Sequence, residues 1–217
     1  MENFLVSIKE SFLTLLDNPL SIITVIGGIL LLLAIIKFKK IKLDAKIMSR
    51  IGIALALATI LNMIKVYSLP NGGGSISFGS MIPILLIAFM YGPQIGLLTG
   101  FLFGIISLII NPYIMHPIQV LFDYPLPFMA IGFAGYFKKN IFLGASIGMI
   151  LRFICHFISG YIFFGEFAPE GLSPAIYSLA VNGIAVGGEL IICLIIITFL
   201  PINRIIKRTN GDSSTAY

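Results

Sequence analysis

Charge is what this sequence has least of. Only 11% of its 217 residues are Asp, Glu, Lys or Arg, 58% are hydrophobic, and the mean hydropathy is +1.05. A soluble domain carries about a quarter charged residues, so these values exclude one and place the chain in a bilayer. Tryptophan is absent, and there are two cysteines and two histidines. Cys155 and Cys193 each sit in an apolar stretch with no CxxC spacing and no His/Cys cluster, which excludes a spaced metal or redox motif and reads as packing. His116 and His156 are too isolated to suggest a metal site. No internal repeat is visible, so an inverted-repeat transporter is not supported. Hydrophobic spans consume nearly the whole chain and leave no room for a second, soluble domain.

What remains is a series of apolar runs. Seven stretches, at roughly 20–37, 47–66, 78–91, 94–110, 117–137, 141–164 and 174–201, approach the ~20 residues that a helix needs to cross ~30 Å of hydrocarbon. The third is short. Open sheet is excluded at membrane depth, and the alternation of a barrel strand is missing. Basic residues set the orientation. Lys37, Lys39, Lys40, Lys42, Lys46 and Arg50 fill the first connection, Lys138 and Lys139 the fifth, and Arg204, Lys207 and Arg208 follow the last span. These sites share one face, which the positive-inside rule makes cytoplasmic. The net charge of +5 is therefore a matter of topology, not of nucleic-acid binding. The N-terminus is expected outside and the C-terminus inside. Phe4, Leu5, Ile8, Phe12, Leu15 and Leu16 recur at helical spacing before Asn18-Pro19, which predicts an amphipathic interfacial helix over 1–19. A cleaved signal peptide is disfavoured, because a basic n-region and an A-x-A-like site are missing.

Glycines at 96, 100 and 104, at 144 and 148, and at 183 and 187 give GxxxG faces, with Gly52 and Ala56 a looser version. Five polar groups are embedded: Asp123, Arg152, His156, Asn182 and Glu189. Each charge at that depth costs at least ~2.5–3.5 kcal/mol on insertion scales, so each needs a partner or a function. Counting from the helix ends puts Asp123, His156 and Asn182 at one level, ~9–12 Å below the outer surface. Arg152 and Glu189 fall near mid-bilayer on neighbouring antiparallel helices. They read as an ion pair, the alternative being that one of them lines a cavity. Tyr113, Tyr124, Tyr161, Phe163, Phe164, Phe167 and Tyr177 gather at the outer level. That is either an interfacial aromatic belt or a box around a planar cation, with Asp123 as counter-charge.

Three strings carry a resemblance: "GGSISFGSMIPILL" (73–86), "HPIQVLFDYPLPFMAIGFAGYF" (116–137) and "LRFICHFISGYIFFGEFAPEGLSPAIYSLAVNG" (151–183). They resemble the thiamine-specific substrate-binding subunit, or S component, of energy-coupling factor (ECF) vitamin transporters, over roughly 47–208. The resemblance implies an all-α membrane protein: a six-helix S-component bundle at 47–208, with one additional N-terminal transmembrane helix and basic loop at 20–46, the amphipathic segment at 1–19 and a cytoplasmic tail at 209–217. It implies capture of extracellular thiamine at the bacterial cell membrane, without catalysis by this chain and without a cofactor or metal. Its partners would be a transmembrane coupling subunit and two ATP-binding subunits, docked on small residues of the first core helix that match Gly52 and Ala56. The ligand site implied is Asp123, Tyr124, Tyr113, His156, Gly160, Tyr177 and Asn182, with Phe164 where some members stack the ligand on tryptophan. The segment "LPNGGGSISF" (69–78) would be an outer lid. The competing readings are an S component for another vitamin or cationic heterocycle, a structural scaffold, and an intramembrane acid–base enzyme using Asp123 and His156. Against the enzyme, no second carboxylate lies at that depth and no nucleophile motif is present.

Overall fold

The computed structural model describes residues 43–69 and 73–214, the last six of these as backbone alone. The expected segments at 1–19 and 20–37, and the outer placement of the N-terminus, lie outside the described residues. Helices α1 (Ala45–Met63), α2 (Ile82–Tyr91), α3 (Pro93–Ile110), α4 (Pro117–Asp123), α5 (Pro125–Ala130), α6 (Ile141–Phe163), α7 (Pro174–Phe199) and α8 (Ile202–Ser214) are joined by a hairpin, β1 (Lys65–Ser68) with β2 (Ser75–Ser77), and two 3-10 turns. The helices start where capping chemistry allows. Asp44, Asn140 and Ser173 accept from Ile47, Leu143 and Ile176 backbone N–H groups at 2.7, 3.1 and 3.3 Å. Gly92, at φ 93°, makes the sharp turn that lets Pro93 open α3 directly after α2.

Among the described residues, five helical segments are long and apolar enough to cross a membrane, counting Pro117–Phe137 as one, and Ile82–Tyr91 is a shorter apolar helix. Two boundaries differ from the sequence expectation. The stretch expected to be helical to 66 leaves the helix at Met63 and enters the hairpin. The stretch expected from 78 becomes helical only at Ile82, since Gly79 takes φ +73° and Ser77 Oγ accepts from the Ser80 N–H. Ten residues of helix rise ~15 Å, half a bilayer. Ser77, Gly79 and Ser80, which lead into it without helical bonding, are buried in protein, where such backbone is tolerated. Helix α8 runs across the expected tail boundary at 208 and ends at Ser214.

The interior is packed around Phe89, Phe103, Met81, Ile84 and Leu85. On α3, the glycine stripe lies against backbone. A Cβ at Gly96 would meet Ala88 of α2 and the Gly132 backbone, at Gly100 the Phe128 carbonyl, and at Gly104 the Tyr124 carbonyl. This stripe is intrachain packing that presses α3 onto α2, α5 and the 3-10 helix Ile131–Phe137. Nothing lies within 4 Å of a Cβ built at Gly52, Gly183 or Gly187. The outer faces of α1 and α7 expose Ile53, Leu57, Ile60, Leu179, Ile184, Ile191 and Ile195, as expected of lipid-facing surface.

Candidate ligand-binding site

Helix direction brings the ends of α1, α3 and α6 and the starts of α4 and α7 to one end of the bundle. Between them and the hairpin lies a cavity of about 470 Å³, within the range of small-molecule sites. All eight residues expected at a ligand site line it: Tyr113, Asp123, Tyr124, His156, Gly160, Phe164, Tyr177 and Asn182. Gly52 and Ala56 do not; both are exposed on α1.

Asp123 reaches the cavity because α4 stops there. Pro125 and Pro127 lack the N–H groups that a continuous helix would send to the Leu121 and Asp123 carbonyls, and the backbone turns at Tyr124 (φ −119°, ψ −78°) before α5. Asp123 Oδ1 lies 3.5 Å from His156 Nδ1, and Oδ2 accepts from Gln119 Nε2. No lysine or arginine among the described residues forms an ion pair with it. His156 stands edge-on to Phe128, 6.3 Å between ring centroids.

Other expected residues sit in the wall with narrower tasks. Tyr124 donates its hydroxyl proton to the Asn111 carbonyl at 2.9 Å and accepts from the Tyr113 N–H at 2.8 Å, so it pins the strap 111–116 across the mouth. Tyr113 stacks on Phe164 at 5.9 Å with a 23° tilt. Gly160 permits close approach of α6 to α7, because a Cβ there would collide with Ser178 Oγ and Asn182 Nδ2. Asn182 Nδ2 donates to the Ser178 carbonyl at 3.1 Å and to Ser178 Oγ at 3.2 Å, and Ser178 donates in turn to the Phe157 carbonyl at 2.7 Å. Tyr161 and Phe163 stand outside the cavity wall, stacked on Phe157 and His116 respectively.

Arg152 and Glu189 form the expected ion pair, at 2.6 Å and buried on both sides. Arg152 also lines the cavity, with its guanidinium 5.0 Å from the centroid of the Phe128 ring. Both sequence alternatives therefore hold for Arg152. Glu189 further accepts from the hydroxyls of Ser77 and Ser80, the latter at 2.7 Å, which seats the hairpin end in the bundle. Arg152 Nε and Ser107 Oγ, both in cavity-lining residues, are buried without a protein partner. Lys65, Asn62, Gly73, Gly74 and Ser75 bring the hairpin to the rim.

Sequence reasoning missed Phe128, Ser107, Ser178 and Lys65; of the expected lid 69–78, Gly73, Gly74 and Ser75 line the cavity. Phe128 follows Asp123 by five positions across two prolines, so helical spacing could not place it beside the acid. The hairpin's clue was Gly-rich "NGGGSIS" after a helix end, which marks a turn but not its insertion.

The profile of the family described as Thiamine transporter protein (Thia_YuaJ) matches residues 48–208. The thiamine transporter ThiT of Bacillus subtilis (strain 168) is 38% identical over 178 residues, 72% of this chain and 92% of that protein. The thiamine transporter ThiT of Lacticaseibacillus paracasei is 32% identical over 123 residues, 48% of this chain and 61% of that protein. A solved structure of ThiT from Listeria monocytogenes is similar with a TM-score of 0.66 at 27% identity, covering 75% of this chain and 96% of that one.

Proposed function

The chain belongs to the thiamine transporter protein family, and on that premise we propose that it captures extracellular thiamine in the cavity around Asp123, as the substrate-binding subunit of an ECF importer. The observation that carries the reading is an acid lining the cavity whose partners among the described residues are an amide and an imidazole. A permanently cationic thiazolium placed beside Oδ1 supplies the missing charge. In a site of low dielectric that attraction is worth several times its value in water. Tyr113 and Phe164 offer a flat aromatic surface at the mouth. With the Asn182 amide N–H groups engaged by Ser178, its carbonyl oxygen is left to accept from the ligand's 4-amino group. A neutral or anionic vitamin would leave Asp123 uncompensated, which disfavours the other S-component specificities.

The chain is a multi-pass membrane protein, and the orientation follows from charge. Lys138 and Lys139 follow the 3-10 turn, Arg50 bonds to Tyr91, and Arg204, Lys207 and Arg208 lie on α8. All are at the end opposite the cavity, so that end faces the cytoplasm and the cavity faces outward. The energy for translocation comes from the coupling subunit and two ATP-binding subunits, docked on α1 at Gly52 and Ala56. The test is calorimetric or tyrosine-fluorescence titration of the purified protein with thiamine. Saturable one-to-one binding is expected, with no uptake by this chain in cells lacking the partner subunits. Absence of binding, or uptake by the chain alone, would overturn the reading.

A further inference from the structure

The Asp123 carboxylate is not aimed by its own rotamer alone. One helical turn earlier, Gln119 is fully buried and stands outside the cavity wall. Residues at i and i+4 share a helix face, which puts its amide beside the acid. Gln119 Oε1 accepts from the backbone N–H groups of Met115 at 3.1 Å and His116 at 3.5 Å. Gln119 Nε2 donates to the Tyr113 carbonyl at 3.1 Å and to Asp123 Oδ2.

This set of partners fixes which end of the amide is which. Turned over, the NH2 group would face two N–H donors and the oxygen would face a carbonyl and a carboxylate, and all four contacts would be repulsive. The end that meets Asp123 is therefore always a donor. It occupies Oδ2 and leaves Oδ1 toward His156 and the cavity. The same side chain completes the reciprocal cap with His116 that starts α4, so the carboxylate and the strap bearing Tyr113 are set by one group.

We propose that Gln119 is the positioning residue of the cation site, presenting one carboxylate oxygen of Asp123 to the ligand and linking that orientation to the Tyr113 strap. The inference rests on the reading of the cavity as a thiamine site. Its consequence is selective. Loss of Gln119 leaves the counter-charge of the ligand's cationic half misdirected, whereas the aminopyrimidine half, read from α6 and α7, is held as before.

The experiment titrates full-length wild type and Gln119→Met with two probes: thiamine and its uncharged aminopyrimidine methanol fragment. Gln119→Met is expected to lose about tenfold in thiamine affinity, the scale of one charge-assisted hydrogen bond, and to keep its affinity for the neutral fragment. An equal loss for both probes, or no loss for either, would overturn the positioning role. A wild type that binds no thiamine would instead remove the function on which the inference rests. Should Gln119→Met not fold, amide exchange in Asp123→Ala gives an independent reading, since Gln119 is still present there but has lost its carboxylate acceptor. Exchange at Met115 and His116 is expected to quicken several-fold; unchanged exchange at both overturns the link.

Discussion

Two acidic side chains lie inside this bundle, and their surroundings differ. Glu189 has both carboxylate oxygens engaged, one by Arg152 and the other by the hydroxyls of Ser77 and Ser80. Asp123 has an amide on one oxygen, an imidazole 3.5 Å from the other, and a cavity beside it. The first arrangement is closed: the charge is compensated within the chain, and its removal would damage the fold. The second is open: no lysine or arginine among the described residues pairs with Asp123, and one of its oxygens faces His156 and the cavity. Burial of a carboxylate thus says little by itself. Whether its compensation is internal decides if it is architecture or recognition.

The largest effect expected from this contrast is on stability. Glu189→Ala leaves Arg152 buried without its partner and frees the hairpin end, and should lower unfolding free energy by about 3–5 kcal/mol, read as thermal denaturation in detergent. Asp123→Asn should leave the melting temperature nearly unchanged while weakening thiamine binding more than tenfold, which is at least about 1.4 kcal/mol. If the two variants exchanged phenotypes, the division between closed and open charge would be wrong. Gly160→Ala should cost about 1 kcal/mol of stability, the low end for overpacking because Ser178 can turn away. It should also weaken thiamine binding several-fold by moving Asn182, as calorimetry would measure. Gly52→Leu faces open space and should change stability by less than about 0.5 kcal/mol, with thiamine affinity intact. Uptake by cells carrying the coupling and ATP-binding subunits should nonetheless fall, and full uptake would move the docking face elsewhere.

Much of this was legible from residue order. The apolar runs at 94–110, 141–164 and 174–201 lie within two residues of α3, α6 and α7, and depth counted along them put Asp123, His156 and Asn182 at one level; all three line one cavity. Arg152 and Glu189 were matched by the same count. The strand pairing of the hairpin was not legible, although its glycine-rich segment 69–78 was expected as an outer lid. Residues 78–91 are nearly continuous in hydrophobicity, and hydrophobicity without periodicity does not distinguish buried helix from buried turn. Ser77 and Ser80 look like loop residues until Glu189, over a hundred positions away, is seen to accept from both. The tasks of Tyr124 and Gly160 were equally hidden, since residue type shows that a hydroxyl is present or a Cβ absent, and only packing shows what it answers. Gln119 read as one polar residue among apolar ones, although its four partners are all within six positions of it in sequence.

The central claim is that the cavity recognises a positive charge through Asp123. It is tested most directly by comparing thiamine with an isostere whose thiazolium is replaced by an uncharged thiophene, on wild type and on Asp123→Asn. The account predicts that wild type prefers thiamine by at least about tenfold and that the variant loses the preference. Equal affinity of wild type for the charged and the uncharged ligand would contradict it.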